Sequence, residues 1–187
     1  MDAGPADRPA AEVKEAEPTG DLLDWSERST ETLLAALRAA GPDRGVWPWW
    51  GEPAHSGAVA RHQVQEAMVH AWDAGDAAGR AGPLPREAAL DGIAEFLETG
   101  LPVAGTWQHP PAAVGVVATD GAGGGWRVLL SAEQRRLEPG DGTGDAVLRG
   151  TASDLVLAFY RRRGLAALDV TGDRELAERF LGWFMTD

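Results

Sequence analysis

The chain of 187 residues contains no cysteine. Disulfides and protein thiolate chemistry are thereby excluded, and any thiol used in a reaction must arrive on a small molecule. Lysine is almost absent: Lys14 is the only one, and Asp and Glu outnumber Lys and Arg by 29 to 17, giving a formal net charge of −12. A generally basic surface for nucleic acid is excluded, because such binding runs on Lys and Arg displacing counterions from phosphates. No apolar run approaches the ~20 residues that span a bilayer, so no membrane is expected as a partner. The N-terminus carries no apolar signal core, and the cytoplasm is the default location. What is present is ordinary globular material, 44% hydrophobic and 25% charged, sufficient for a sizeable core.

Residues 1–20, MDAGPADRPAAEVKEAEPTG, have no apolar stripe and read as a flexible arm or linker. Asp24-Trp-Ser-Glu27 has the form of a capping box, and Leu33, Leu34 and Leu37 continue a helix to Gly41. A second helix is expected from about Ala58 to Ala74. A third starts near Pro85, carries Leu90, Ile93, Phe96 and Leu97, and stops at Gly100 and Pro102. Beyond Pro111 the pattern turns to short strands, Val114–Ala118, Arg127–Leu130, Arg135–Glu138 and Ala146–Arg149, with DGAGGGW as a hairpin turn. Thr151 caps a helix expected to reach Arg163, Leu168–Thr171 is a strand candidate, and Asp173 caps a last helix. The expected fold class is α+β, with a helical part over 21–104 and a small α+β domain over 105–187.

The chemistry concentrates in RHQVQEAMVHAWDAGDAAG, residues 61–79. Glu66 and His70 are four apart and share a helical face, so a carboxylate oxygen and an imidazole nitrogen can reach one divalent ion such as zinc. Spacing alone is equally that of a solvated polar pair. Asp73 lies one turn on, as an acid that either supports a ligand from behind or faces the cofactor or substrate. His62 does not complete the set, since it is roughly 12 Å along the axis from His70 at ~1.5 Å per residue, and it reads as a surface or supporting residue. Arg149, in VLRGTASD, is the candidate catalytic cation for an anionic ligand, or else a strand-end arginine. Arg161, Arg162 and Arg163 read as cations at the carbonyl end of a helix. Trp47, Trp49 and Trp50 either wall a cleft or pack a loop.

RHQVQEAMVHAWDAGDAAG followed by PLPREAALDGIAEFLETGLP resembles the mycothiol-dependent maleylpyruvate isomerase family. DWSERSTETLLAALRAAGPDRGVWPWW and DAVLRGTASDLVLAFYRRRGLAALDVTGDRELAERFL extend the resemblance over roughly residues 20–187. It implies a DinB-like helical bundle followed by a sterol-carrier-like α+β domain. It also implies zinc held in part by Glu66 and His70, with mycothiol as the thiol that adds to a small electrophilic substrate. The family's early metal-binding histidine has no counterpart here. The first two bundle helices are therefore expected to be missing, residues 1–20 to be the linker that followed them, and a homodimer to form through the faces left bare. The third ligand would come from His55 or from a partner subunit. The implied activity is mycothiol-dependent isomerisation or thiol transfer; the competing expectation is a non-catalytic binding protein that keeps Glu66 and His70 as relics.

Overall fold

The computed structural model describes residues 18, 20–121 and 125–184. The arm expected over 1–20 falls almost wholly outside them, as do the central residues of the DGAGGGW turn. Described elements run α1 (Leu22–Ala40), α2 (Ser56–Ala77), α3 (Arg86–Val103), β1 (Ala112–Ala118), β2 (Gly125–Leu130), β3 (Arg135–Gly140), β4 (Ala146–Gly150), α4 (Ala152–Phe159), a 3-10 turn (Leu165–Ala167), β5 (Asp169–Gly172) and α5 (Arg174–Trp183). The fold is α+β, helices first and then a sheet, as expected. No described helix is long and apolar enough to cross a membrane.

Two compact units divide between Gln63 and Val64, inside α2. In the first, Asp21 caps α1 by accepting from the N–H groups of Leu23 and Asp24 at 2.9 and 3.2 Å. The cap thus sits one turn earlier than the expected Asp24 box, whose residues lie within the helix. No residue of α1 is buried, and Leu22 and Leu23 are 62% and 78% exposed. Across residues 41–55, Trp50 is buried and donates from its indole to Pro53 O at 3.2 Å. His55 Nδ1 accepts from Ala58 N–H at 3.1 Å and so caps α2.

In the second unit a five-stranded sheet has the order β3-β2-β1-β4-β5, with β1 and β4 parallel and the other neighbours antiparallel. Side chains alternate across it. Val114, Val116, Val128 and Leu148 therefore share a face, and they form one buried cluster with Ile93 and Leu97 of α3, Leu155 and Phe159 of α4, and Phe180 of α5. Burying these side chains contributes roughly 1.5–3 kcal/mol each, an upper figure for an extended unfolded chain. Pro102 does not end α3 at once: it occupies the last turn, and Ala104 N–H closes the helix on Gly100 O at 2.8 Å. By contrast, α4 stops at Phe159, four residues before the expected Arg163. Arg161 turns left-handed at φ 59°, and the N–H groups of Arg162 and Arg163 both fold back onto Leu157 O at 2.7 and 3.0 Å.

The link between β3 and β4 crosses β1 at Gly115, where a Cβ would collide with the carbonyl oxygen of Gly142. Backbone on both sides leaves no flexible atom to yield. Gly115→Ala is expected to destabilise the sheet unit by about 1–3 kcal/mol or more, as overpacking does. Urea denaturation checks this; an unchanged midpoint would show that the link shifts freely.

Candidate functional site

Helix α2 places Glu66, His70 and Asp73 along one exposed stripe. His70 Nε2 lies 3.4 Å from Glu66 Oε2, and His70 Nδ1 lies 3.2 Å from Asp73 Oδ2. Each imidazole nitrogen thus faces a different carboxylate. The first separation is long for a charge-assisted hydrogen bond, which runs at ~2.7–2.9 Å. It does match two donors on one edge of a tetrahedral ion, roughly 3.3–3.5 Å apart at bond lengths of ~2.0–2.2 Å. The second contact is the kind that fixes a ligating histidine by holding its other ring nitrogen on a carboxylate.

Asp73 is itself held. Arg162, 89 residues away in sequence, donates from Nε to Oδ1 at 3.0 Å and from Nη2 to Oδ2 at 2.8 Å. This forked geometry suits a guanidinium on a carboxylate. Arg162 also donates from Nη1 to Tyr160 O at 2.9 Å, closing the end of α4. The hydrogen bonds from Arg162 hold the Asp73 carboxyl below its ordinary range against the opposing effect of burial, and His70 adds to the lowering. Asp73 in turn holds the Arg162 proton more firmly. The run Arg162–Asp73–His70–Glu66 is continuous, each contact fixing the next.

An open cleft of about 540 Å³ lies beside it, lined by Trp72, Asp73, Asp76, Ala77, Tyr160, Arg161 and Arg162. Its floor is firm. Phe96 of α3 stacks on Phe159 at 4.9 Å and meets Tyr160 edge-on at 5.2 Å. Burial, and after it the carboxylates of Glu95 and Glu66, push the Tyr160 phenol above its ordinary range, so it stays protonated. Glu95, on α3, is only 2% exposed, and its side chain lies 3.4 Å from the Thr99 hydroxyl.

The structure brings Glu66, His70 and Asp73 together and leaves Arg149 out. Leu148 faces the core, so Arg149 points to the other side of the sheet, beside Val117 of β1 and Asp169 of β5 in register. His62 is no surface residue: it is buried with its ring 4.8 Å from Trp50 and 5.9 Å from Trp49. His109 packs on Trp107 at 4.9 Å. The three consecutive arginines do not act together on a helix dipole. Arg161 donates to the carbonyls of Gly182 and Phe184, Arg162 holds Asp73, and Arg163 pairs with Asp154. Among the described residues no group of three or more His, Asp or Glu could hold a metal ion. Arg162, Tyr160 and Glu95 are the site residues that sequence reading missed; only the run RRR hinted at the first.

Residues 1–75 match the mycothiol maleylpyruvate isomerase N-terminal domain, and residues 87–179 match the MDMPI C-terminal domain. The chain belongs to the mycothiol maleylpyruvate isomerase family. The expected loss of the first bundle helices is not borne out by the N-terminal match, which takes in residues 1–75, the expected linker over 1–20 included. Two uncharacterized proteins of Mycobacterium tuberculosis, from strains CDC 1551 / Oshkosh and ATCC 25618 / H37Rv, are each 29% identical over 186 residues. The aligned part covers 96% of this chain and 65% of each relative, so the chain spans just under two thirds of their length. No solved structure matches.

Proposed function

We propose that this family member is an enzyme of thiol chemistry, a mycothiol-dependent isomerase or thiol transferase acting on a small electrophile at the cleft beside Glu66 and His70. The observation that carries the reading is the pair itself, two donor atoms 3.4 Å apart with the imidazole fixed from behind by Asp73 and Arg162. Such a donor pair fits zinc, with Glu66 Oε2 and His70 Nε2 as two of its ligands. A catalytic zinc normally takes three protein ligands, so a further donor must join these two. Bound there, zinc would supply a cation that favours the thiolate form of a coordinated thiol.

The chain's own residues then have distinct tasks. Glu66 and His70 would hold the ion, Asp73 holds the other ring nitrogen of His70, and Arg162 keeps Asp73 ionised and in place. Having no cysteine, the protein has no internal thiol to compete with a borrowed one. The absence of a three-donor group among the described residues favours one rival, a non-catalytic binding protein of the same family. Metal content after purification without added zinc separates the two. The wild type is expected to carry about one zinc per chain, and Glu66→Ala combined with His70→Ala to carry none. Equal metal in both proteins would sink the site.

A further inference from the structure

Helix α1 presents an apolar stripe to solvent. None of its residues is buried, and its exposed leucines are Leu22, Leu23, Leu33 and Leu34. At ~3.6 residues per turn these four share about a third of the helix circumference with Ser26 and Thr30. Thr30, between the two leucine pairs, turns its hydroxyl back onto Ser26 O at 3.0 Å, so the stripe stays apolar along its length. Helices draw most of their stability from burying such a face, and an exposed apolar stripe with a polar border marks an interaction surface. Residues 1–20 have no apolar stripe of their own with which to cover it. The border is one-sided in charge. Glu27 and Glu31 run along one edge with Asp24 behind them, all three exposed and in no ion pair with another described residue. That edge turns basic only at Arg38, in the last turn beyond Leu34. The opposite edge, Trp25, Ser29, Thr32 and Ala36, is uncharged.

We propose that this stripe is the docking face for an amphipathic helix of another protein, apolar along one side and basic along one edge. The two leucine pairs supply apolar anchors at helical spacing, and the acidic edge selects the charge and orientation of what lies against them. A second copy of this chain is the poorer occupant. Two α1 helices paired antiparallel would set Glu27 and Glu31 beside the same residues of the other copy, and each copy brings a net charge of −12. An anionic lipid surface would meet the same repulsion.

The test uses a synthetic helical peptide that spans the stripe, roughly 18 Å at ~1.5 Å per residue, with leucine on one face and lysine along one edge. A second peptide carries glutamate in place of the lysines. Binding to the whole chain is followed by calorimetry at low and moderate salt. The lysine peptide is expected to bind the wild type, and the glutamate peptide to bind about tenfold more weakly or not at all. Leu33→Gln combined with Leu34→Gln is expected to lower affinity for the lysine peptide by about tenfold or more, through lost apolar contact. Glutamine is a good helix former, and circular dichroism checks that helix content is kept. Glu27→Lys combined with Glu31→Lys is expected to lower affinity about three- to tenfold, the scale of a few exposed ion pairs, and to remove most of its salt dependence. No binding of the lysine peptide, or equal affinity in the wild type and both variants, would overturn the proposal. Equal binding of the two peptides would overturn the basic edge. A wild-type dimer in sedimentation equilibrium that the leucine substitutions dissociate would overturn it too, since the second copy would then be the occupant.

Discussion

Arg162→Ala is expected to weaken zinc binding by about 10–100-fold, the usual effect of removing a partner that orients a metal ligand. The arginine's forked contact is what holds Asp73, and Asp73 is what holds His70 Nδ1. Without the fork the imidazole is free to turn, and Nε2 leaves its place 3.4 Å from Glu66. Competition with a chelating dye measures the affinity. Arg162→Lys is expected to recover only part of it, because an ammonium cannot span both carboxylate oxygens. The same substitution moves acid stability. Arg162 lowers the Asp73 pKa, so the contact contributes above the ordinary carboxylate range and is lost only as pH falls through the lowered value. In Arg162→Ala that contribution is absent, so the variant's stability falls less than the wild type's as pH drops through this range.

Phe159→Ala is expected to cost about 3–5 kcal/mol of stability, the range for emptying a large aromatic site. Phe159 is fully buried and lies parallel to Phe96 at 4.9 Å, joining the end of α4 to α3 directly beneath the cleft. Cavity formation and loss of the ring pair act in the same direction. Denaturant unfolding with an unchanged slope is the measurement. Leu23→Ala, on the exposed side of α1, is expected to stay within about 0.5 kcal/mol in the same assay. Similar losses at the two positions would contradict the division between a packed sheet unit and a helix with no buried residue.

Local chemistry was legible in the sequence wherever the partners are close along the chain. Thr151 and Asp173 cap their helices as expected, accepting from Asp154 N–H at 3.1 Å and Leu176 N–H at 3.0 Å. The i,i+4 spacing of Glu66 and His70 likewise predicts the observed approach. Distance along the chain defeats the same reasoning for Asp73 and Arg162, since nothing in either segment names the other. The early end of α4 was hidden because arginine is a good helix former, and the left-handed Arg161 has its side chain on the carbonyls of Gly182 and Phe184, far along the chain. His62 was misread for a similar reason: a polar residue at a helical position gives no sign that Trp49 and Trp50 will enclose it. Nothing in the sequence marked Tyr160, and only the fold sets it in the lining of the cleft with its ring on Phe96.

The central claim is that Arg162, Asp73, His70 and Glu66 act as one device, and a double-mutant cycle between Arg162 and His70 tests it most directly. Zinc affinity is measured for the wild type, Arg162→Ala, His70→Ala and the double variant. The account predicts strong non-additivity: removing Arg162 weakens binding in the wild type and changes nothing once His70 is gone. Equal losses from Arg162→Ala in both backgrounds would show that the arginine acts without the histidine, and the account would fail.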